Sequence, residues 1–141
     1  MNVQFSAAFA QLKSYLSAKI PELKIVTYWV ESGEASNTMN AMLLPASNSA
    51  EDGKITCNVN LWFYVIMDNS QLADIAEAQA AIMEKVFNAV YENGGLKPPV
   101  LKASITETEY QNAVFKPPSQ RAGLARALIE LVMEFDDDMQ D

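Results

Sequence analysis

From Lys54 the residues alternate. Ile55, Cys57, Val59, Leu61, Phe63 and Val65 fall on one side, and Lys54, Thr56, Asn58, Asn60, Trp62 and Tyr64 on the other. Side chains of a strand point to opposite faces in turn, so the pattern predicts a strand with one apolar face. Asp52-Gly53 just before it is a turn signal. The second face is polar at Thr56, Asn58 and Asn60, then aromatic at Trp62 and Tyr64. Either another element of the same chain covers that aromatic end, or a second subunit does.

A helical period follows. Leu72, Ile75, Gln79, Ile82, Val86 and Val90 step by three and four, and Ala76, Met83 and Phe87 widen the stripe. Gln79 is its one polar interruption. Asp68, Asn69 and Ser70 are N-cap candidates, with Gln71 in a weak capping box with Asp68. Asp74 and Glu77 suit the positive end of the helix dipole. Asn93-Gly94-Gly95 ends the helix and Pro98-Pro99 forbids its resumption. The simplest packing lays this helix on the Ile55 to Val65 face.

An earlier helix is expected over 3–20, where Phe5, Ala8, Phe9, Leu12, Tyr15, Leu16 and Ile20 recur at helical spacing before Pro21. Leu23 to Glu31 is rich in β-formers and predicts a strand. Met39 to Leu44 suits a short strand ended by Pro45, and Ala46 to Gly53 reads as a polar linker. The natural hairpin sets Met39 to Leu44 against the start of the Lys54 strand, with a long tip. Val100 to Tyr110 alternates weakly and puts Ala103, Ile105, Glu107 and Glu109 on one face. Gln111 to Gln120 is a loop by composition. Arg121 to Phe135 fits both periods. Its odd residues from Ile129 make a strand face, and Leu124, Leu128, Leu131, Val132 and Phe135 make a helical stripe. Strand is favoured, since it would complete a sheet with Val100 to Tyr110.

The 141 residues suit one domain, residues 1–135, followed by an acidic tail over 136–141. The expected fold class is α+β, a mainly antiparallel sheet with two helices packed on it. A chain of this size needs no disulfide or metal to fold. The net charge of −8 argues against a non-specific nucleic-acid binder and against an anionic membrane surface as partner. There is no apolar run of membrane-spanning length and no basic leader at Met1 to Gln4.

Catalytic chemistry finds little purchase. There is no histidine, which removes the usual general base and the commonest metal ligand. The single cysteine, Cys57, sits on an apolar strand face and suits an inert core thiol. Glycine is scarce, and no glycine-rich phosphate loop follows a strand. Glu107 and Glu109 share a face but read as solvated, and Asp136 to Asp138 lack the spacing of a calcium loop. A non-enzymatic protein without cofactor is therefore expected.

The order of elements, together with Leu12-Lys13, Ile20-Pro21-Glu22-Leu23-Lys24-Ile25-Val26, the Trp62-Phe63-Tyr64 core and the helix Leu72 to Tyr91, resembles the tail-terminator or tail-completion proteins of long-tailed phages, lambda- and Mu-like, prophage copies included. The resemblance lies in layout more than in signature residues. The 36–53 stretch and the acidic tail have no counterpart in it. It implies a ring-forming subunit, a hexamer, that caps the tail tube and joins it to the head connector. DNA would be only passing cargo, no membrane would be involved, and the protein would pass from the host cytoplasm into the virion tail. Trp62, Tyr64, Lys116 and Arg121 are then the candidate subunit or partner contacts. Three rivals remain: another minor tail or connector component, a small cytosolic binding or regulatory domain holding a ligand between sheet and helices, and an enzyme, which without histidine would need carboxylate or metal-dependent chemistry.

Overall fold

The computed structural model describes residues 2–30, 40–51, 53–68, 74–92, 96–115 and 120–136. The elements run β1 (Asn2–Val3), α1 (Phe5–Lys19), β2 (Lys24–Val26), β3 (Asn40–Glu51), β4 (Lys54–Asp68), α2 (Asp74–Tyr91), β5 (Val100–Phe115), β6 (Gln120–Met133) and β7 (Phe135–Asp136). Five strands form one sheet in the order β2-β3-β4-β6-β5. Among the described residues the β2–β3 pair is parallel and the β3–β4, β4–β6 and β5–β6 pairs are antiparallel. This is an α+β fold, two helices on a mainly antiparallel sheet.

Strand β4 is central, and its alternation decides the layers. Ile55, Cys57, Val59, Leu61, Phe63 and Val65 are all buried in one cluster with Leu12 and Leu16 of α1 and Ile82, Met83 and Val86 of α2. Both helices therefore lie on the Ile55 to Val65 face, and each fully buried Leu or Val there contributes about 1.5–3 kcal/mol. Hydrogen bonds tether the helices and the loops around them. The Tyr15 hydroxyl donates to the Ala89 carbonyl at 2.5 Å, and the Gln11 side-chain amide pairs with both backbone groups of Lys97.

Strand β6 runs Gln120–Met133, so the double periodicity resolves as strand. Ala125, Ala127, Ile129, Leu131 and Met133 alternate into the helix-side core. The helical stripe was a coincidence of apolar residues on both faces, since Leu124 belongs to a second cluster on the opposite side.

Several expectations need correction. Residues 46–51 are not a linker: β3 continues through Pro45 to Glu51. Strand β2 covers only Asn40 to Met42, so Pro45 sits on an edge, and the register shifts between Pro45 and Ser47. A proline on an edge or at a bulge costs no ladder bond. The hairpin tip is consequently short, with Glu51 opposite Lys54 and Gly53 at φ 74°. Ala41 to Leu44 face Phe63 to Asn60, the later part of β4 rather than its start.

Strand β2 stops at Val26, well before Glu31, because the chain then turns across the second face of the sheet. Strand β5 reaches Phe115, so most of the expected 111–120 loop is strand. Asp68 is the last residue of β4, opposite Gln120, and its side chain lies outside the described set. Asn69, Ser70, Gln71, Leu72 and the Asn93-Gly94-Gly95 stop lie outside the described residues. Asp136, grouped by composition with the tail, pairs with Asn2 in the small β1–β7 ribbon.

Candidate assembly surface

The face of the sheet away from the helices carries a built cluster of its own. Met42, Tyr64, Ala122 and Leu124 are buried there, with Val26, Val30, Leu44, Trp62 and Ile66 packed against them. The segment after β2 makes the cover. The Val30 N–H meets the Met42 sulfur at 3.0 Å, and the Tyr64 hydroxyl donates to the Val30 carbonyl at 2.9 Å. Tyr64 is 2% exposed, so its own chain fills the space around it. Of the two readings of this aromatic end, cover by another element of the same chain is the one seen at Tyr64.

Trp62 lies next along this face and is half-buried. Trp29 stands edge-on to it, with ring centroids 5.4 Å apart and planes at 83°. The Arg126 guanidinium lies 5.6 Å from the Trp62 ring centroid. Arg126 also donates to Glu107 Oε1 at 2.5 Å, to Glu109 Oε2 at 3.2 Å and to Asn60 Oδ1 at 3.0 Å. One guanidinium fork therefore ties β4, β6 and β5 together across the open face.

A bulge brings the glutamates there. The β5–β6 register shifts between Ile105 and Glu107, so Ile105 faces Ile129 but Glu107 faces Leu128 and Glu109 faces Arg126. One extra residue turns every later side chain to the other face. Ala103 and Ile105 pack against the helix-side core, while Glu107 and Glu109 cross to the Arg126 side. Simple alternation had placed all four together.

Lys116 lies outside the described residues. The Arg121 backbone stands near the start of β6, opposite Met67 and Phe115, and its side chain lies outside the described set. Of the four candidate contacts, the structure leaves Trp62 with partial access.

The exposed large hydrophobic side chains among the described residues are Tyr28, Trp29, Phe87, Tyr91, Leu101 and Tyr110. They fall in two regions: Tyr28 and Trp29 after β2, where Trp29 reaches Trp62 of central β4 on the face away from the helices, and the rest on α2 and β5. Phe87 and Tyr91 of α2 stack at 6.1 Å beside β5, where Leu101 and Tyr110 project. Phe87, one of the residues that widen the stripe, lies at its outer margin and is exposed. Tyr91 and Leu101 also line a shallow groove with Val90, Leu96, Lys102 and Ala103. The sequence pattern does not single these residues out, because single exposed aromatics carry no period.

Cys57 is buried and unpaired, and burial pushes its thiol pKa up, which disfavours the nucleophilic thiolate. Among the described residues no group of three metal-ligating side chains comes together, and no helix is long and apolar enough to cross a membrane.

Comparison with known proteins gives the fold and little more. No family model matches the chain, and no curated protein matches it. A solved chain that carries a sequence number in place of a functional name is 19% identical at a TM-score of 0.50, over 94% of this chain and 95% of that one. That likeness supports the fold. A chain from the virion of a native gene transfer agent particle is 13% identical at a TM-score of 0.42, over 93% of this chain and 95% of that one. A likeness at that level carries no argument about what this chain does.

Proposed function

We propose that this chain is a structural subunit of a phage-type tail, which closes into a ring on the end of the tail tube and meets the head connector. The observation that carries the reading is exposed aromatic surface in two unlike places, Tyr28 and Trp29 beside Trp62 on the face away from the helices and Phe87 with Tyr91 on α2. Two unlike patches suit head-to-tail contact between copies, and a head-to-tail contact whose rotation closes makes a ring. A hexamer is the proposed closure, taken from the resemblance in layout. The reading assigns no catalytic role and no cofactor. The net charge of −8 suits a channel through which DNA passes without sticking, since like charge repels phosphate. On this reading the subunit is made in the host cytoplasm and ends in the virion tail.

The test is mass by light scattering across protein concentration and salt, alone and with purified tail tubes. A ring-sized species in either condition is the expected result. A monomer in both, with no tube binding by sedimentation, would count against the reading.

A further inference from the structure

Helix α2 ends beside an open edge of the sheet, and its last residue meets that edge. Strand β5 pairs with β6 on one side, and among the described residues no strand lies on its other side. An open edge presents N–H and C=O groups that another strand can pair with. At Ile105 both groups are already occupied. Its N–H donates to the Tyr91 hydroxyl oxygen at 2.9 Å, and that hydroxyl donates to the Ile105 carbonyl at 3.3 Å. Tyr91 is itself 50% exposed, so burial of its ring does not account for its position. Backbone groups alternate sides along a strand, so Ala103, two residues earlier, turns its own peptide groups to the same open side. Leu101 beside it is 61% exposed.

The opposite end of the sheet has a second open edge. Strand β2 covers β3 only from Asn40 to Met42, and every residue from Pro45 to Glu51 is exposed. Natural edge strands are commonly guarded by charge, especially lysine. Here Pro45 and the register shift beside it are the guards, and Glu51 at the tip is the one charge in the whole of β3. Lys102 sits on the β5 edge. Among the described residues neither Glu51 nor Lys102 takes part in an ion pair.

We propose that the Leu101 to Ile105 edge of β5 receives the Ala46 to Glu51 edge of a second copy of this chain, and that Tyr91 is the plug that holds this edge shut in the free subunit. The two edges are different surfaces, so the contact is head-to-tail and can repeat from copy to copy. Glu51 of one copy meets Lys102 of the next. The hydroxyl of Tyr91 mimics one peptide group of the incoming strand, and docking requires it to swing aside. This contact rests on the head-to-tail association proposed above, but it needs no tail tube, so tube binding that persists when the edge contact fails separates the two.

The test is Tyr91→Phe, read by amide hydrogen exchange at Ile105 and by light-scattering mass across concentration. Loss of one net hydrogen-bond partner should lower protection at Ile105 by about three- to tenfold. The concentration for half-association should fall with it. Adding Asn48→Lys and Ala50→Lys should reverse the gain, because both would bring cations onto the docking strand opposite Lys102. Unchanged protection at Ile105 overturns the plug. Lost protection without gained association overturns the docking edge, and association that survives both lysines overturns β3 as occupant. If Tyr91→Phe does not fold, Leu101→Lys in the otherwise unaltered chain takes its place. Association at high concentration must then weaken, and either unchanged association or a strict monomer before substitution overturns the proposal.

Discussion

Gln79 of α2 lies directly over Gly123 of β6. A β-carbon at position 123 would come within 2.6 Å of the Gln79 Nε2 and within 2.6 Å of the Ile75 Cγ2. Glycine at 123 is therefore what lets α2 approach the sheet this closely. Gly123→Ala should destabilise the fold by about 1–3 kcal/mol through overpacking. Pairing it with Gln79→Ala tests the contact itself. Residues that touch couple by about 0.5–3 kcal/mol, so the double variant should lose less than the two single losses added together. Simple additivity in chemical denaturation would place the strain on Ile75 instead.

The same glutamine predicts a gain. Gln79 is 1% exposed, and neither its amide nitrogen nor its amide oxygen has a hydrogen-bond partner among the described residues. A buried polar group left unsatisfied costs about 1–3 kcal/mol, whereas an apolar group of the same shape avoids the penalty. Gln79→Met keeps the length and drops the amide. It should raise the denaturant midpoint with an unchanged slope, by about 1 kcal/mol of stability. A lower midpoint would mean that the amide is satisfied in solution.

Tyr15 should give the fold an alkaline limit. Its hydroxyl donates to the Ala89 carbonyl, and its ring is 8% exposed. Burial, and next the Glu92 carboxylate, raise its pKa above the ordinary 10.0, with Lys19 pulling the other way. The folded state thus holds this proton more tightly than the unfolded chain does. The sign follows: the contribution is complete below pH 10.0 and is lost as pH rises through the raised value. Tyr15→Phe should cost about 1–2 kcal/mol at neutral pH, because it leaves the Ala89 carbonyl without this donor. It should also flatten the fall in melting temperature at high pH. An equal fall in both proteins would assign the alkaline limit to another group.

How much of this was legible beforehand depended on whether a feature leaves a period in the sequence. The β4 alternation and the α2 stripe do, so the layer order and the burial of Cys57 followed from residue spacing. A bulge leaves none. The extra residue between Ile105 and Glu107 is invisible in the Thr-rich run, yet it carries both glutamates to Arg126. The polar run Ala46 to Ala50 resembles a linker because neither of its faces is apolar. It becomes strand through its pairing with Asn58 to Ile55, helped by the short Ser49 to Thr56 hydroxyl contact and by Asn58 donating to Ser47. Tyr64 and Trp62 look alike in the sequence. They part in how the chain after β2 meets them: Val30 takes the Tyr64 hydroxyl, while Trp29 stands edge-on to Trp62 and leaves it half-buried.

Arg126 offers the sharpest separation of charge from packing. Its side chain is 12% exposed, whereas those of Glu107 and Glu109 are 58% and 44% exposed. The carboxylates are thus well solvated, and their ion pairs should be screened. The contact with Trp62 and the bond to Asn60 lie deeper and should be screened less. Arg126→Met keeps most of the aliphatic stem but removes the fork, and should cost about 1–2 kcal/mol. Arg126→Lys keeps the charge but cannot satisfy three acceptors in one plane, so it should recover only part of that. In about 1 M salt the Debye length falls to about 3 Å. The gap between Arg126→Met and the unaltered protein should then narrow by the share that the two glutamates supply. A gap that salt leaves untouched would assign the whole effect to Trp62 and Asn60, and Glu107→Gln with Glu109→Gln should then be silent.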